Sequence, residues 1–313
     1  MPKPCTETTM SHPLVSIITV NYDHPEVTCE LLASLRRITY PNIEIIVVDN
    51  ASPNDDPGII KQNFPEILFI QSKENLGFAG GNNLAIREAK GEYLLMINND
   101  TEVEPGFLEP LVEKFRDNPR IGAVSPKIRF YFQTDILQFT GLTPINPYTM
   151  RSRGLGFGQK DTGQFDKDTP TAFVHGAAMM ISREVLQRVG LMAESYFLYY
   201  EELDWGARIG KAGYELWYVH NAIVLHKESI STGKLSPFKT YYMNRSRLLY
   251  LRRNVTGLTF LIAVIYQLFI AIPKNALTFA IRKDRGHVSA YNRAIWWHLR
   301  SMASKEIHLN PTL

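Results

Sequence analysis

An uninterrupted apolar run, Tyr93 to Ile97, stops abruptly at Asn98, Asn99 and Asp100. A strand without a polar face must be buried on both sides, as in a largely parallel sheet covered by helices. The same design occurs twice earlier in the chain. Leu14 to Val20 ends at Asn21, Tyr22 and Asp23, and Ile43 to Val48 ends at Asp49 and Asn50. Ile67 to Gln71 reads as a further strand. Helical stretches separate these runs, one from Pro25 to about Arg37 and one from about Ala79 to Lys90. The first has the start signals of a proline followed by an acid, Glu26. Alternating strands and helices mean βαβ units with right-handed crossovers. The expected class is α/β, with a mainly parallel central sheet flanked by helices.

In such a sheet the three polar strand ends lie along one edge, where open α/β sheets bind ligands. Taken singly, Asp100 or Thr101 could be no more than a helix cap. Their coincidence points to one site. Asn75 to Asn83 adds glycines that would let the backbone approach a phosphate or a sugar, with amide donors at the helix start that follows. Its spacing is not G-x-G-x-x-G and it does not follow the first strand, so a dinucleotide fingerprint is absent.

From Ile121 to Phe173 the pattern breaks into short β-like pieces and glycine-rich loops such as Arg153 to Gly158, expected to pack irregularly on the sheet. Val174 to Ile181 reads as a strand. It carries His175, which is either an acceptor-pocket residue or a hydrogen-bonded core histidine. The aromatic run Phe197 to Tyr200 leads into Glu201, Glu202 and Asp204 at a helix start. Asp204 could simply pair with Arg208 at i, i+4. Two glutamates behind an aromatic run suit a carboxyl whose pKa is raised for general-base work. Strands near Tyr214 to Val219 and Ala222 to Leu225 end at His226, before a polar segment from Lys227 to Lys234 suited to a metal or diphosphate.

Val15 to Tyr22, Val47 to Ser52, the Asn75 to Asn82 loop, Asn98-Asn99-Asp100, Glu201 to Asp204 and His226 occur in this order. The set resembles the family 2 inverting glycosyltransferases of the GT-A fold, and within them a bacterial rhamnosyltransferase-like branch. The resemblance spans about residues 14 to 255. It implies that Asp49 contacts the nucleobase, with Thr19, Asn21 and Asn50 about its pocket, and that Asn75, Gly77 and Asn82 border the nucleotide sugar. Asp100 would be the metal ligand of an Asp-x-Asp-like motif, joined by His226, with Asn98 and Asn99 beside it. Glu202 takes the catalytic-base position, with Glu201 and Asp204 the alternatives. Two departures are plain: asparagines at 98 and 99 replace acids often found there, and glutamate stands where the base is usually aspartate. The implied cofactor is Mg²⁺ or Mn²⁺, the donor a dTDP- or UDP-sugar with dTDP-rhamnose the branch's donor, and the acceptor a glycan or lipid-linked glycan. A catalytically silent nucleotide- or carbohydrate-binding scaffold of the same fold is the alternative.

Domain boundaries follow: a tail over 1–13, a catalytic domain over 14–235 (nucleotide half 14–125, acceptor half 126–235) and a helical region over 236–313. The last contains a basic helix, Ser236 to Asn254, with Arg245, Arg247, Arg252 and Arg253. Val255 to Ile272 follows without a charge. As a helix it would be roughly 27 Å long, just short of a hydrocarbon core. A membrane span, an in-plane helix anchored by the arginines on anionic lipid, and a core or oligomer helix compete; the flanking charges favour in-plane attachment. A net charge of +3 gives no reason to expect nucleic acid. Cys5 and Cys29 have no metal-type spacing, and the polar, proline-containing start lacks a signal peptide's apolar core. The expected location is cytoplasmic, at the inner face of the cell membrane.

Overall fold

A computed structural model of the chain describes residues 12–227, 236–281 and 284–301. The expectations for residues 1–11 and for Glu228 to Lys234 lie outside the described residues. In chain order the elements are β1 (Val15–Asn21), α1 (Pro25–Leu35), β2 (Ile43–Asp49), α2 (Gly58–Asn63) and β3 (Leu68–Gln71). Next come α3 (Gly77–Glu88), β4 (Tyr93–Ile97), β5 (Thr101–Val103), α4 (Leu108–Asp117), β6 (Ile121–Phe130) and β7 (Gln133–Phe139). β8 (Thr169–Pro170), β9 (Ala178–Ser182), α5 (Arg183–Val189), α6 (Glu201–Lys211) and β10 (Glu215–His226) complete the sheet region. The C-terminal helices are α7 (Pro237–Asn254), α8 (Gly257–Tyr266), α9 (Ile272–Ile281) and α10 (Arg285–Arg300).

One mixed sheet runs β3-β2-β1-β4-β9-β6-β10-β5, with β7 added on β6 and β8 on β10. β1, β2, β3 and β4 are parallel to one another. β9 is antiparallel to both β4 and β6, and β10 is parallel to β6. Strands β4, β6 and β10 therefore point the same way, and His226 comes out at the same edge as Asp100. Side chains of β4 alternate between two cores: Tyr93, Leu95 and Ile97 on one side, Leu94 and Met96 on the other. The α/β architecture matches the reading of the strand pattern.

Several boundaries differ from the sequence reading. Residues 121–139 form two regular strands, not irregular pieces. Pro126 and Lys127 disguised β6. Pro126 cannot donate to a ladder, and opposite it β10 shifts register between Val219 and Ile223. That irregularity makes one long strand look like two in the sequence. Lys127, 2% exposed, is paired with Asp161 and Asp166. Only the second half of Val174 to Ile181 is regular strand, because His175 to Ala177 turns before β9 begins.

The C-terminal helices pack on α6 through a third core containing Tyr196, Tyr200, Leu203, Leu249 and Tyr250. Asp204, 1% exposed, anchors this contact. It accepts from Arg208 Nε at 3.1 Å, Arg253 Nε at 3.0 Å and Asn254 Nδ2 at 2.8 Å. Burial acts to raise the Asp204 carboxyl, but Arg253, Arg208 and Asn254 outweigh it and hold the group below its usual value. Arg245 donates to the carbonyls of Ser195 and Tyr196, and Arg252 to Ser301. These arginines bind the protein, which corrects the expectation that they face lipid.

The apolar segment is also longer than read. α8 passes through a widened π turn, Gln267–Ala271, directly into α9, and Pro273 lies inside the helix. A proline in mid-helix leaves a carbonyl one turn back without its partner, and a wide turn absorbs that defect. The helix runs from Gly257 to Phe279; its most apolar 18-residue window has mean hydropathy 1.7, and only 11% of that window is buried. Phe269 is 74% exposed and Leu258 71%. By length and composition alone it could cross a membrane.

Asp204→Asn removes the buried charge on which Arg208, Arg253 and Asn254 converge. It should lower stability by about 3 kcal/mol in urea unfolding at neutral pH. The contribution is fully present above the ordinary carboxylate range and is lost as pH falls through the depressed folded-state value, so the two proteins should converge in acid.

Candidate functional site

A cleft of about 670 Å³ opens along the edge where β1, β2, β4 and β10 end. Asn50 organises one end. Its amide donates to Asn75 Oδ1 and the Gly77 carbonyl, both at 3.1 Å, and its Oδ1 accepts the Leu76 N–H at 2.9 Å. Gly77 has φ +69°, and a Cβ there would lie 2.2 Å from the Phe197 carbonyl oxygen. Only glycine permits this approach, which is closed by the Phe78 N–H donating to Phe197 at 2.7 Å. Asn50, Asn75, Gly77 and Asn82 all line the cleft, as do Asn98 and Asn99.

Thr19, Asn21 and Asp49 do not line it; they are fully buried behind it. Successive strand residues face opposite sides, and in β1 the cleft receives Val20, with Tyr22 just beyond the strand. Asn21 instead donates to Asp49 Oδ1 at 2.9 Å and accepts from Thr28 Oγ1 at 2.6 Å. Asn99 Nδ2 reaches Thr28 Oγ1 at 3.1 Å. The network ties three strand ends together beneath the site.

β5 turns back along β10, pairing Thr101 with His226. Asp100 Oδ1 therefore sits 3.1 Å from His226 Nε2, with both side chains nearly buried. His226 Nδ1 lies 2.7 Å from Gln138 Oε1, and a ring that donates from Nδ1 alone would turn its Nε2 lone pair toward Asp100. That Nε2 is buried and makes no hydrogen bond among the described residues. In that tautomer the two facing acceptors would suit a cation between them. The described residues contain no cluster of three or more His, Cys, Asp or Glu side chains able to hold a metal. A cation here would take its remaining ligands from a bound molecule or water.

Glu201 and Glu202 enter the cleft from the N-terminus of α6. The approach is strained: Phe197, Tyr199 and Tyr200 have φ of +64°, +65° and +73°. Non-glycine residues in that region cost energy and cluster at functional sites. Burial pushes the Glu202 carboxyl up to about 7, against backbone N–H groups that favour its charge. Glu201, 3% exposed, is pushed well above its ordinary value by burial and then by the Glu202 charge, and its Oε2 lacks a hydrogen bond among the described residues. Glu202 keeps partial exposure beside Gly176. Asp204 points away into the clamp on α7 and is not a cleft residue, as its i, i+4 pairing with Arg208 foreshadowed.

His175 lines the cleft, with Nδ1 accepting the Ala177 N–H at 3.1 Å. Burial and the neighbouring His226 push it down to about 3, so it is neutral. Gln138, Phe157 and Lys239 are lining residues that the motifs did not indicate. Lys239 had a signal, since it lies in the first turn of a basic helix. Gln138 had none, being one polar residue in a strand.

The fold resembles that of a mannosyltransferase from Pyrobaculum calidifontis, solved in complex with GDP-Man and Mn²⁺. The TM-score is 0.58 at 17% identity, covering 95% of this chain and 83% of that one. Among curated proteins, an N-acetylglucosaminyl-diphospho-decaprenol L-rhamnosyltransferase of Mycobacterium tuberculosis is 27% identical over 71% of this chain and 78% of its own length. A low-salt glycan biosynthesis hexosyltransferase of Haloferax volcanii is 27% identical over 75% of this chain and 74% of its own. The sequence model described as glycosyl transferase family 2 matches residues 16–190, more than half of the chain. The chain belongs to glycosyl transferase family 2 and is a glycosyltransferase of GT-A architecture.

Proposed function

We propose that this enzyme transfers a sugar from a nucleotide-diphosphate donor to a hydroxyl of a lipid-linked or cell-surface glycan, inverting the anomeric centre, with a divalent cation and a carboxylate base. The observation that carries the reading is the convergence of the Asp100–His226 pair and Glu202 on one cleft. Rhamnose from dTDP-rhamnose is the donor we favour, because the relative from Mycobacterium tuberculosis is a rhamnosyltransferase acting on a diphospho-decaprenol-linked sugar.

Asp100 and His226 would hold the cation. A mixed carboxylate and imidazole set suits Mn²⁺ better than Mg²⁺, which prefers oxygen ligands alone. When bound, the cation neutralises charge developing on the leaving diphosphate. Asn50, Asn75, Gly77 and Asn82 shape the nucleotide-sugar end of the cleft, supported from beneath by Asn21 and Asp49. Glu202, ionised, accepts the proton of the acceptor hydroxyl as its oxygen attacks the anomeric carbon from the face opposite the diphosphate. One displacement inverts that carbon. Burial and the Glu202 charge raise the Glu201 carboxyl, which disfavours a second negative charge beside the base. Residues 14–235 form the catalytic unit and 236–313 a helical attachment; the exposed apolar face of α8 and α9 lies on the cytoplasmic surface of a membrane.

Glu202→Gln should lower kcat by about 10²- to 10⁴-fold with dTDP binding unchanged by calorimetry; near-normal turnover would assign the base elsewhere. Because the base must be ionised, kcat/KM should fall as pH drops through about 7. Chelation should abolish transfer and Mn²⁺ restore it. Asp100→Asn or His226→Ala should raise the Mn²⁺ concentration for half-maximal rate by more than about tenfold. Replacing Leu261, Ile265 and Phe269 with serine should move the enzyme from the membrane pellet to the supernatant, with its circular dichroism unchanged.

A further inference from the structure

Phe157 is 60% exposed, yet it lines the catalytic cleft. Its backbone enforces that exposure. Gly156 and Gly158 on either side have φ of +70° and +74°. A Cβ at Gly156 would lie 2.8 Å from Thr140 Oγ1 and 2.9 Å from the Phe165 ring. The loop is hydrogen-bonded to β7: Gly158 N–H donates to the Leu137 carbonyl, and Leu137 N–H to that of Gln159, each at 2.8 Å. Thr140 Oγ1 donates to the Leu155 carbonyl, also at 2.8 Å. The ring is braced edge-on by Phe130, with centroids 5.8 Å apart at 74°. A pinned loop thus presents a ring that is more than half exposed; the glycine-rich stretch is irregular, as expected, yet held by hydrogen bonds to β7.

Its place in the cleft narrows the occupant. Phe130 is paired with His226 in the sheet, and Gln138 on β7 bonds His226. Phe157 therefore belongs to the end where the sugar bond would break, not the end shaped by Asn50 and Asn75. The same cleft carries hydrogen-bonding groups beside its apolar ones, Gln138, His175 and Glu202 among them. An exposed aromatic ring in such a cleft suits a pyranose, whose polarised C–H face meets the electron-rich ring while its hydroxyls meet the hydrogen-bonding groups.

We propose that Phe157 is the stacking platform of an acceptor-sugar subsite, holding the acceptor ring so that its hydroxyl reaches Glu202. This rests on the transfer reaction proposed above, and it adds a residue and a mode of recognition to it.

The test uses the full chain with Mn²⁺, dTDP-rhamnose and two acceptors, methyl and octyl N-acetylglucosaminide. Phe157→Ala should raise the acceptor KM by about fivefold to tenfold, equally for both acceptors, with the donor KM unchanged. Phe157→Trp should restore it, and Phe132→Ala, at a 77% exposed ring outside the cleft, should change neither constant. A rise in the donor KM, a defect confined to the octyl acceptor, or an unchanged acceptor KM would each overturn the proposal. Saturation-transfer NMR of methyl N-acetylglucosaminide, with dTDP and Mn²⁺ present, decides it without turnover. Wild type should show a signal that Phe157→Ala loses; equal signals, or none in wild type, count against the subsite. Absence of wild-type turnover would instead overturn the transfer reading.

Discussion

The site depends on strand polarity. β1, β2, β4, β6 and β10 all end at one edge, although the sheet is mixed and β9 and β5 run the other way. Were β10 reversed, His226 would emerge at the far edge from Asp100. The three-residue strand β5 completes the arrangement. By pairing Thr101 with His226 it sets the register between a strand-end carboxylate and a strand-end imidazole more than a hundred residues away. Neither side chain alone makes a metal site. Brought together in a nearly buried position and braced by Gln138, they form the pair proposed to hold the cation.

The two glutamates answer a different demand. A carboxylate competent as a base near neutral pH needs to be partly desolvated, and desolvation costs stability that the rest of the fold must offset. Here three of the four residues from Phe197 to Tyr200 have positive φ and aim the start of α6 into the cleft. The Gly77 contact with Phe197 locks that strained segment to the loop at the nucleotide end. The Asn75–Gly77 end of the cleft and the start of α6 thus share one point of backbone contact.

Much of this was legible in the sequence, for identifiable reasons. Apolar runs ending in asparagine and aspartate announced the parallel half, and acids behind an aromatic run announced α6. Side-chain parity was not legible. A strand shows two faces in alternation, and nothing in Thr19-Val20-Asn21 says which of them meets the cleft. The β6–β7 hairpin was hidden because Pro126 and a buried lysine break the apolar pattern, and their compensation lies far away in β10, Asp161 and Asp166. The arginines of α7 looked like a basic face for anionic lipid, since partners such as the Tyr196 carbonyl, Ser301 and Asp204 lie far off in the sequence. Asp204 resembled a catalytic acid until its depth and its cationic partners were known.

Asp204 stands two residues after Glu202, and Arg253, which grips it, lies four residues before α8 begins. The helix carrying Glu202 and the exposed apolar helix are thus joined through a very short mechanical path of buried charge. Any surface that holds the apolar helix also fixes the orientation of α6, and with it the direction in which the cleft opens. The clamp is then a gimbal lock: attachment and aim become one degree of freedom, and a glycan presented at a set height above that surface would always meet the cleft at the same angle.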